Sequence, residues 1–392
     1  MIGGIDMKFK GYRRPDGRVG IRNHILILPC SMCASETARF IASQVPEAVY
    51  IPNQGGCAMS AADLEMTFKV LSGLAANPNV YGTVVIGNNC EAVQAHLLVE
   101  RIQALTNKPL KSVVIRDAGG TIKAVEQGVK YAFEMSMEAS KCEKEEADIS
   151  ELILGTECGG SDPTSGLASN PTLGYVSDKL VSMGATSILS ETTELMGTED
   201  ILAARCINER VAKDLVDMIK NNEDHFILNG ENIRDGNPSP GNKEGGLTTI
   251  EEKSLGCINK AGYSTINEVY AYGEQVTKKG LVVMDTPGQD IASIAAMVAG
   301  GAQIVVFTTG RGTPTGNGIV PVIKITGNAE TYGLMSDNID FDASAIVAGK
   351  ASIAETGEKL FELVMEVVAG KKSKAEALGF NDMSMARKCN FA

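Results

Sequence analysis

Short runs of apolar, β-branched residues recur along the chain, each followed by a polar, glycine-containing turn and then a stretch of helical periodicity. This is the pattern of parallel strands joined by crossover helices. The runs lie at 24–29, 48–51, 81–86, 111–115, 152–154, 186–189, 281–284, 303–307 and 321–325. Nine strands exceed one typical sheet, and 392 residues exceed one ordinary core. The expected fold is therefore α/β, with two Rossmann-like domains of mainly parallel sheet and flanking helices. Charged and polar residues take over abruptly at 135–150, which predicts the junction and divides the chain into an N-terminal domain 1–145 and a C-terminal domain 146–392. The stretch 229–246 is too rich in Gly, Pro and Asn for a regular element, and it opens a long functional loop expected to run from 229 to 256. Beyond Asp340 the periodicity is helical, including 351–369.

A formal net charge of −12 argues against a nucleic-acid surface, which needs clustered Lys and Arg. No apolar run reaches the length of a membrane span and the first ten residues do not resemble a signal peptide, so a cytoplasmic location is expected. In a reducing compartment the nine cysteines are small buried hydrophobes or ligands, not a disulfide framework.

Open parallel sheets bind ligands at the carboxyl ends of their strands. There the chain puts Cys57, Cys90 with Glu91, and Cys158 followed by Gly159-Gly160-Ser161-Asp162. Each thiol alone reads as packing. Together, set among glycines and polar turn residues, Cys57, Cys90 and Cys158 suggest one metal centre of three thiolates with an open position. Cys33, of the pair Cys30-x-x-Cys33, falls near that site; Cys142, Cys206, Cys257 and Cys389 read as core or surface filling. The three histidines form no metal-binding array.

Glu191 and Glu194 end another strand, either as acids at a helix start or as catalytic groups. Lys243 lies among glycines and polar residues in the long loop, and Arg311, after a further strand, could grip a carboxylate bidentately. The run Asp285-Thr286-Pro287-Gly288 looks like the magnesium turn of GTPases, but no phosphate-cradling loop accompanies it, so it reads as an ordinary strand-end turn.

The blocks GYRRPDGRVGIRN (11–23), NCE (89–91), ECGGSDPTSGLASNP (157–171), SETTE (190–194), NPSPGNKEGGLTTIEEKSLG (237–256), FTTGRGTPTGN (307–317), PVIK (321–324) and DFDA (340–343) resemble the altronate and galactarate dehydratases. The resemblance implies a metal-dependent hydro-lyase that converts an aldonate or aldarate to its 2-keto-3-deoxy acid. It implies iron, as Fe2+ or an iron–sulfur cluster, with Mn2+ as the alternative, at Cys57, Cys90 and Cys158. It also implies proton transfer by Glu191, Glu194, Lys243 or Glu91, and substrate contacts from Arg311, Ser161, Asp162, Asn170, Lys253 and Asn23. A homo-oligomer and a separate small SAF-type subunit are further expectations. Two departures, Asn88-Asn89 before Cys90 and the lack of a histidine shortly before Cys57, bear on substrate choice. The large subunit of sulfolactate sulfo-lyase, which releases sulfite, is similar over several of the same blocks. A non-catalytic sugar-acid-binding subunit is the remaining alternative.

Overall fold

All nine apolar runs become strands of two parallel sheets in the computed structural model, which describes residues 7–388. The smaller sheet has the order Ala48–Tyr50, His24–Pro29, Val80–Gly87, Leu110–Val114. The larger has seven strands in the order Ile266–Tyr270, Gly280–Met284, Thr186–Leu189, Ile153–Cys158, Ile304–Thr309, Val322–Thr326, Phe341–Asp342. Every pairing in both sheets is parallel.

Four inner strands of the larger sheet, Gly280–Met284, Thr186–Leu189, Ile304–Thr309 and Val322–Thr326, are buried at every position, as a sheet covered on both faces requires. Side chains alternate between the two coverings. Ile304 and Val306 face helices Asn170–Ser182 and Ile353–Ala369, while Val305 and Phe307 face helix Asp290–Ala299. That last helix packs against Ala61–Ala76, which covers the smaller sheet, so one apolar core joins the two sheets. Gly73 permits the crossing: a Cβ there would lie 2.5 Å from the Ala299 carbonyl oxygen. Buried amides fasten the same seam, Asn77 Nδ2 donating to the Val298 and Ala302 carbonyls at 2.8 Å each.

Two polar stretches acquire regular structure. The polar stretch 135–150 is the end of helix Thr121–Ala139 followed by strand Glu145–Asp148. This strand pairs antiparallel with Lys8–Arg13 in a small third sheet, and its charges are those of an exposed edge. Within 229–246 two short helices form, Ile233–Gly236 and Pro240–Glu244, because Ser239 caps the second with a capping box and Pro240 occupies its first turn. Among the described residues no helix is long and apolar enough to cross a membrane.

Each parallel sheet has one point where the strand order reverses direction. In the larger it lies between Ile153–Cys158 and Ile304–Thr309; in the smaller it lies between His24–Pro29 and Val80–Gly87. A crevice opens outside the carboxyl ends at such a point, so the topology nominates two places for chemistry.

Candidate active site

The crevice of the larger sheet widens into a cleft of about 2050 Å³, lined among others by Cys158, Glu194, Asn237, Lys253, Asp290 and Arg311. Its floor is assembled from strand ends. Glu157 and Cys158 close one strand and, by the alternation of a strand, point to opposite sides. Glu157 is fully buried, and its Oε2 accepts from Ser293 Oγ at 2.6 Å and Ser190 Oγ at 3.1 Å. Burial first, and then the neighbouring Glu191, push its carboxyl well above the usual range.

Glu191 follows the strand Thr186–Leu189 in a left-handed conformation, φ 69° and ψ 67°, which costs a residue with a Cβ about 1–3 kcal/mol. Neighbouring elements hold it there. Its N–H donates to Thr286 Oγ1 at 2.7 Å, and its Oε2 accepts from the Cys158 N–H at 2.9 Å and from Lys260 Nζ. Lys260 is completely buried, with Nζ 3.1 Å from Cys257 Sγ and 3.5 Å from Cys158 Sγ. Burial works against its ammonium, but Cys158, Cys257 and Glu191 outweigh burial and keep it protonated.

Asp290 begins the helix Asp290–Ala299 and enters the same group. Burial first, and then Glu191, raise its carboxyl to about 7. Gly159 makes room for it, since a Cβ at that position would lie 2.2 Å from Asp290 Oδ2. Along the cleft wall Lys253 Nζ donates to Glu194 Oε1 at 2.8 Å and to Asn237 Oδ1 at 2.9 Å. Burial raises Glu194 above the ordinary carboxylate range even though Lys253 opposes it.

Among the described residues two sets of ligand atoms lie within 4.8 Å of one another: Cys158, Glu191 and Cys257, and Glu157, Glu191 and Asp290. They differ in charge. On the sulfur side the Lys260 ammonium already touches both thiols and Glu191. On the oxygen side Glu157 Oε1 and Glu191 Oε1 are buried without a hydrogen-bond partner. Burial and mutual repulsion favour protons on this group; with the protons displaced, three carboxylates against one ammonium leave two negative charges, which suits a divalent cation that prefers oxygen.

Of the residues nominated from sequence, Glu191, Glu194, Lys253 and Cys158 come together here, and Arg311 stands at the rim, its Nη1 donating to the Gly241 carbonyl at 2.6 Å. Lys243 is exposed and donates to the Asp235 carbonyl. Asp162 uses its oxygens on Thr164, Ser165 and Asn328, the Ser161 carbonyl accepts from Asn242, and Asn170 bridges Gly256 and Thr308. These three brace the loops around the cleft. Asn23 precedes the strand His24–Pro29, bonded to Arg14 and Ala139, and so sits at the amino end, away from either crevice.

The three expected thiols do not meet. Cys158 lies 3.7 Å from Cys257, whereas Cys57 neighbours Cys33 and Cys90 on the smaller sheet, with Glu91 accepting from the Asn88 and Cys90 N–H groups. The separation follows from topology, because the strands preceding Cys57 and Cys90 belong to a different sheet from the strand ending in Cys158. Cys257 is thus a site residue and not filling, and Cys389 lies outside the described residues. Thr286, in the turn read as ordinary, positions Glu191. Glu157, Cys257, Lys260 and Asp290 escaped sequence reasoning. The Cys257-x-x-Lys260 spacing, one helical turn, is the only signal that could have paired two of them.

Residues 11–140 match the family model described as D-galactarate dehydratase/altronate hydrolase, second domain, and residues 149–390 match D-galactarate/altronate dehydratase, C-terminal. The chain is 35% identical over 387 residues to an altronate dehydratase of Bacillus subtilis (strain 168), covering 96% of this chain and 77% of that protein. It is 36% identical over 381 residues to the (2R)-sulfolactate sulfo-lyase subunit beta of Chromohalobacter salexigens, covering 97% of each. It is also 36% identical over 384 residues to the galactarate dehydratase (L-threo-forming) of Escherichia coli (strain K12), covering 93% of this chain and 73% of that protein.

Proposed function

Because the chain belongs to the D-galactarate/altronate dehydratase family, and is thus an enzyme of the hydro-lyase kind, we propose that it removes water from an aldonate or aldarate to leave a 2-keto-3-deoxy acid. The observation that carries this reading is the buried carboxylate group at the strand-order reversal of the larger sheet, with unpartnered oxygens on Glu157, Glu191 and Glu194.

Elimination needs loss of the weakly acidic proton α to the substrate carboxylate and departure of hydroxide from the next carbon. Glu157, Glu191 and Asp290 would hold the metal, Fe2+ first and Mn2+ as the alternative. When bound, such a cation supplies Lewis acidity to the substrate carboxylate and hydroxyl. Glu194 is the general base, its proton affinity raised by burial and its free Oε2 being the atom that takes the α-proton. Lys253 grips Oε1, orients the carboxylate and keeps enough of it ionised. The proton then passes from Glu194 to the departing hydroxyl, water leaves, and the enol becomes the 2-keto acid. Arg311 holds the far end of the substrate at the rim.

The test is an oxygen-free screen of aldonates and aldarates with the Fe2+- or Mn2+-loaded protein, following 2-keto-3-deoxy acid. Absence of product from every substrate, or full activity in Glu194→Gln, refutes the assignment. A second reading, expulsion of sulfite from sulfolactate, is supported by the likeness to the sulfo-lyase beta subunit, and a sulfite assay in the same screen separates the two. The word beta in that relative's name supports a partner subunit, for which the small SAF-type protein implied by the resemblance is the candidate, so the screen is run with and without it.

A further inference from the structure

The floor of the cleft holds two thiols that the elimination does not use. Cys158 ends the strand Ile153–Cys158 and Cys257 ends the helix Ile250–Cys257, 99 residues later in the chain, yet Cys158 Sγ donates to Cys257 Sγ at 3.7 Å. Lys260, one helical turn beyond Cys257, brings Nζ to 3.1 Å from Cys257 Sγ and 3.5 Å from Cys158 Sγ. All three residues are buried, Lys260 completely.

Packing does not account for this group. A thiol that serves as a small hydrophobe sits among hydrocarbon. Cys30 belongs to such an apolar cluster and Cys206 packs against another, but among the described residues the clusters include neither Cys158 nor Cys257. These two face each other, an ammonium and Glu191. Two sulfurs in contact beside a fixed positive charge are placed to bond to one another. They must close from 3.7 Å to about 2.0 Å. The strand end is held, because Cys158 pairs with Thr308 in the sheet and the Gly159 N–H donates to the Thr308 carbonyl at 3.1 Å. The helix is the part that moves, since it has only eight residues and leaves Leu255 exposed.

We propose that Cys158 and Cys257 form a modification site, a dithiol that a peroxide converts reversibly to a disulfide. Cys158 lines the cleft and is the sulfur that a small oxidant reaches. It takes one oxygen of hydrogen peroxide, giving a sulfenic acid and one water. The Cys257 sulfur then displaces the second oxygen, which leaves as water with the Cys257 proton. Two thiols lose two electrons, peroxide gains them, and the Lys260 ammonium offsets the negative charge that the attacking sulfur carries. The hydrogen bond to Cys257 and burial both hold the proton on Cys158, so the pair answers to a small, strong oxidant and not to dissolved oxygen.

The disulfide reaches the carboxylates from both ends. The Cys158 N–H donates to Glu191 Oε2, and the helix that ends at Cys257 carries Lys253, which grips Glu194. Drawing the sulfurs together shifts both supports, and the oxidised chain binds a divalent cation more weakly. This effect rests on the carboxylate metal assignment; the disulfide itself does not.

The experiment treats the metal-free chain with hydrogen peroxide, blocks the remaining thiols with N-ethylmaleimide and maps the peptides by mass spectrometry with and without dithiothreitol. A peptide pair joining Cys158 to Cys257, lighter than the two free peptides by two hydrogens and separated by dithiothreitol, is expected. In Cys257→Ser the sulfenic acid on Cys158 has no partner and should be trapped by dimedone; the wild-type map decides the disulfide even where that variant does not fold. Mn2+ affinity by calorimetry should fall about 10- to 100-fold on oxidation and return with dithiothreitol. Absence of the joined pair, or links from Cys158 and Cys257 to other cysteines only, overturns the proposal, and an unchanged Mn2+ affinity overturns its effect on the cleft. Wild-type protein that binds no Mn2+ before oxidation tells against the carboxylate assignment instead, and the peptide map still decides the disulfide.

Discussion

Asp290 is the residue whose ionisation most directly reports on the cleft. Its carboxyl is raised to about 7 from an ordinary value near 3.8, so between those limits the folded chain binds a proton that the unfolded chain has released. Stability of the metal-free protein must therefore fall as pH rises through this window, by up to about 1.4 kcal/mol per unit from this group. Thermal melts from pH 5 to 8 should show the fall, Asp290→Asn should lessen it, since Glu157 and Glu194 are shifted in the same direction, and Mn2+ should raise the melting temperature most at the alkaline end. A metal-free melting temperature that rises over that range would contradict the assignment. Along the wall, Glu194→Gln should lower kcat by about 10²- to 10⁴-fold. Lys253→Met removes the charge that holds Glu194 down, so the acid limb of the kcat/KM profile should move to higher pH, which steady-state rates across pH would reveal. Glu191, Glu194 and Cys158 were legible in the sequence because each follows an apolar strand, and a polar residue at such a place has few structural reasons to be there. Lys260 and Asp290 were not, because their meaning depends on which helix packs beside which strand end. The same limit explains the mistaken grouping of Cys57 and Cys90 with Cys158: all three follow strands, and nothing local says that the strands belong to different sheets.

At the scale of elements, the fully buried strands were the easy ones, since a parallel strand covered on both faces is apolar without interruption. The edge strands Ile266–Tyr270 and Glu145–Asp148 carry Asn267, Glu268 and a run of acids, because an edge faces solvent, and their periodicity is faint for that reason. Helix ends were equally local: Ser352 and Glu355 form a reciprocal cap on Ile353–Ala369, and Ser352→Ala should cost about 1 kcal/mol in a urea melt. The crossing of Ala61–Ala76 over Asp290–Ala299 is different in kind. Gly73 there is a packing requirement, and Gly73→Val should destabilise by about 1–3 kcal/mol or more, with rates also reduced because the second helix begins at Asp290. Denaturation with parallel activity measurements tests both consequences, and a neutral Gly73→Val would show that the crossing can relax.

For the whole molecule, two sheets need not mean two folding units. Leu71 and Leu74, above the smaller sheet, share one apolar cluster with Met297, Val305 and Phe307 of the larger, and Asn77 and Asn79 bond across the seam to Val298, Ala302, Gln303 and Ile319. Separating the sheets would expose that cluster and leave those buried amides and carbonyls to find new partners, a cost far above that of an ordinary domain contact. Unfolding should then be a single event. The chain contains no tryptophan, so reporters can be introduced one at a time, as Tyr131→Trp against the smaller sheet and Phe341→Trp in the larger. Urea titrations of the two variants, each normalised to its own stability by circular dichroism, should give coincident fluorescence and dichroism transitions. A smaller sheet that melts first, with the cleft still competent to bind Mn2+, would show instead that the seam is a docking surface.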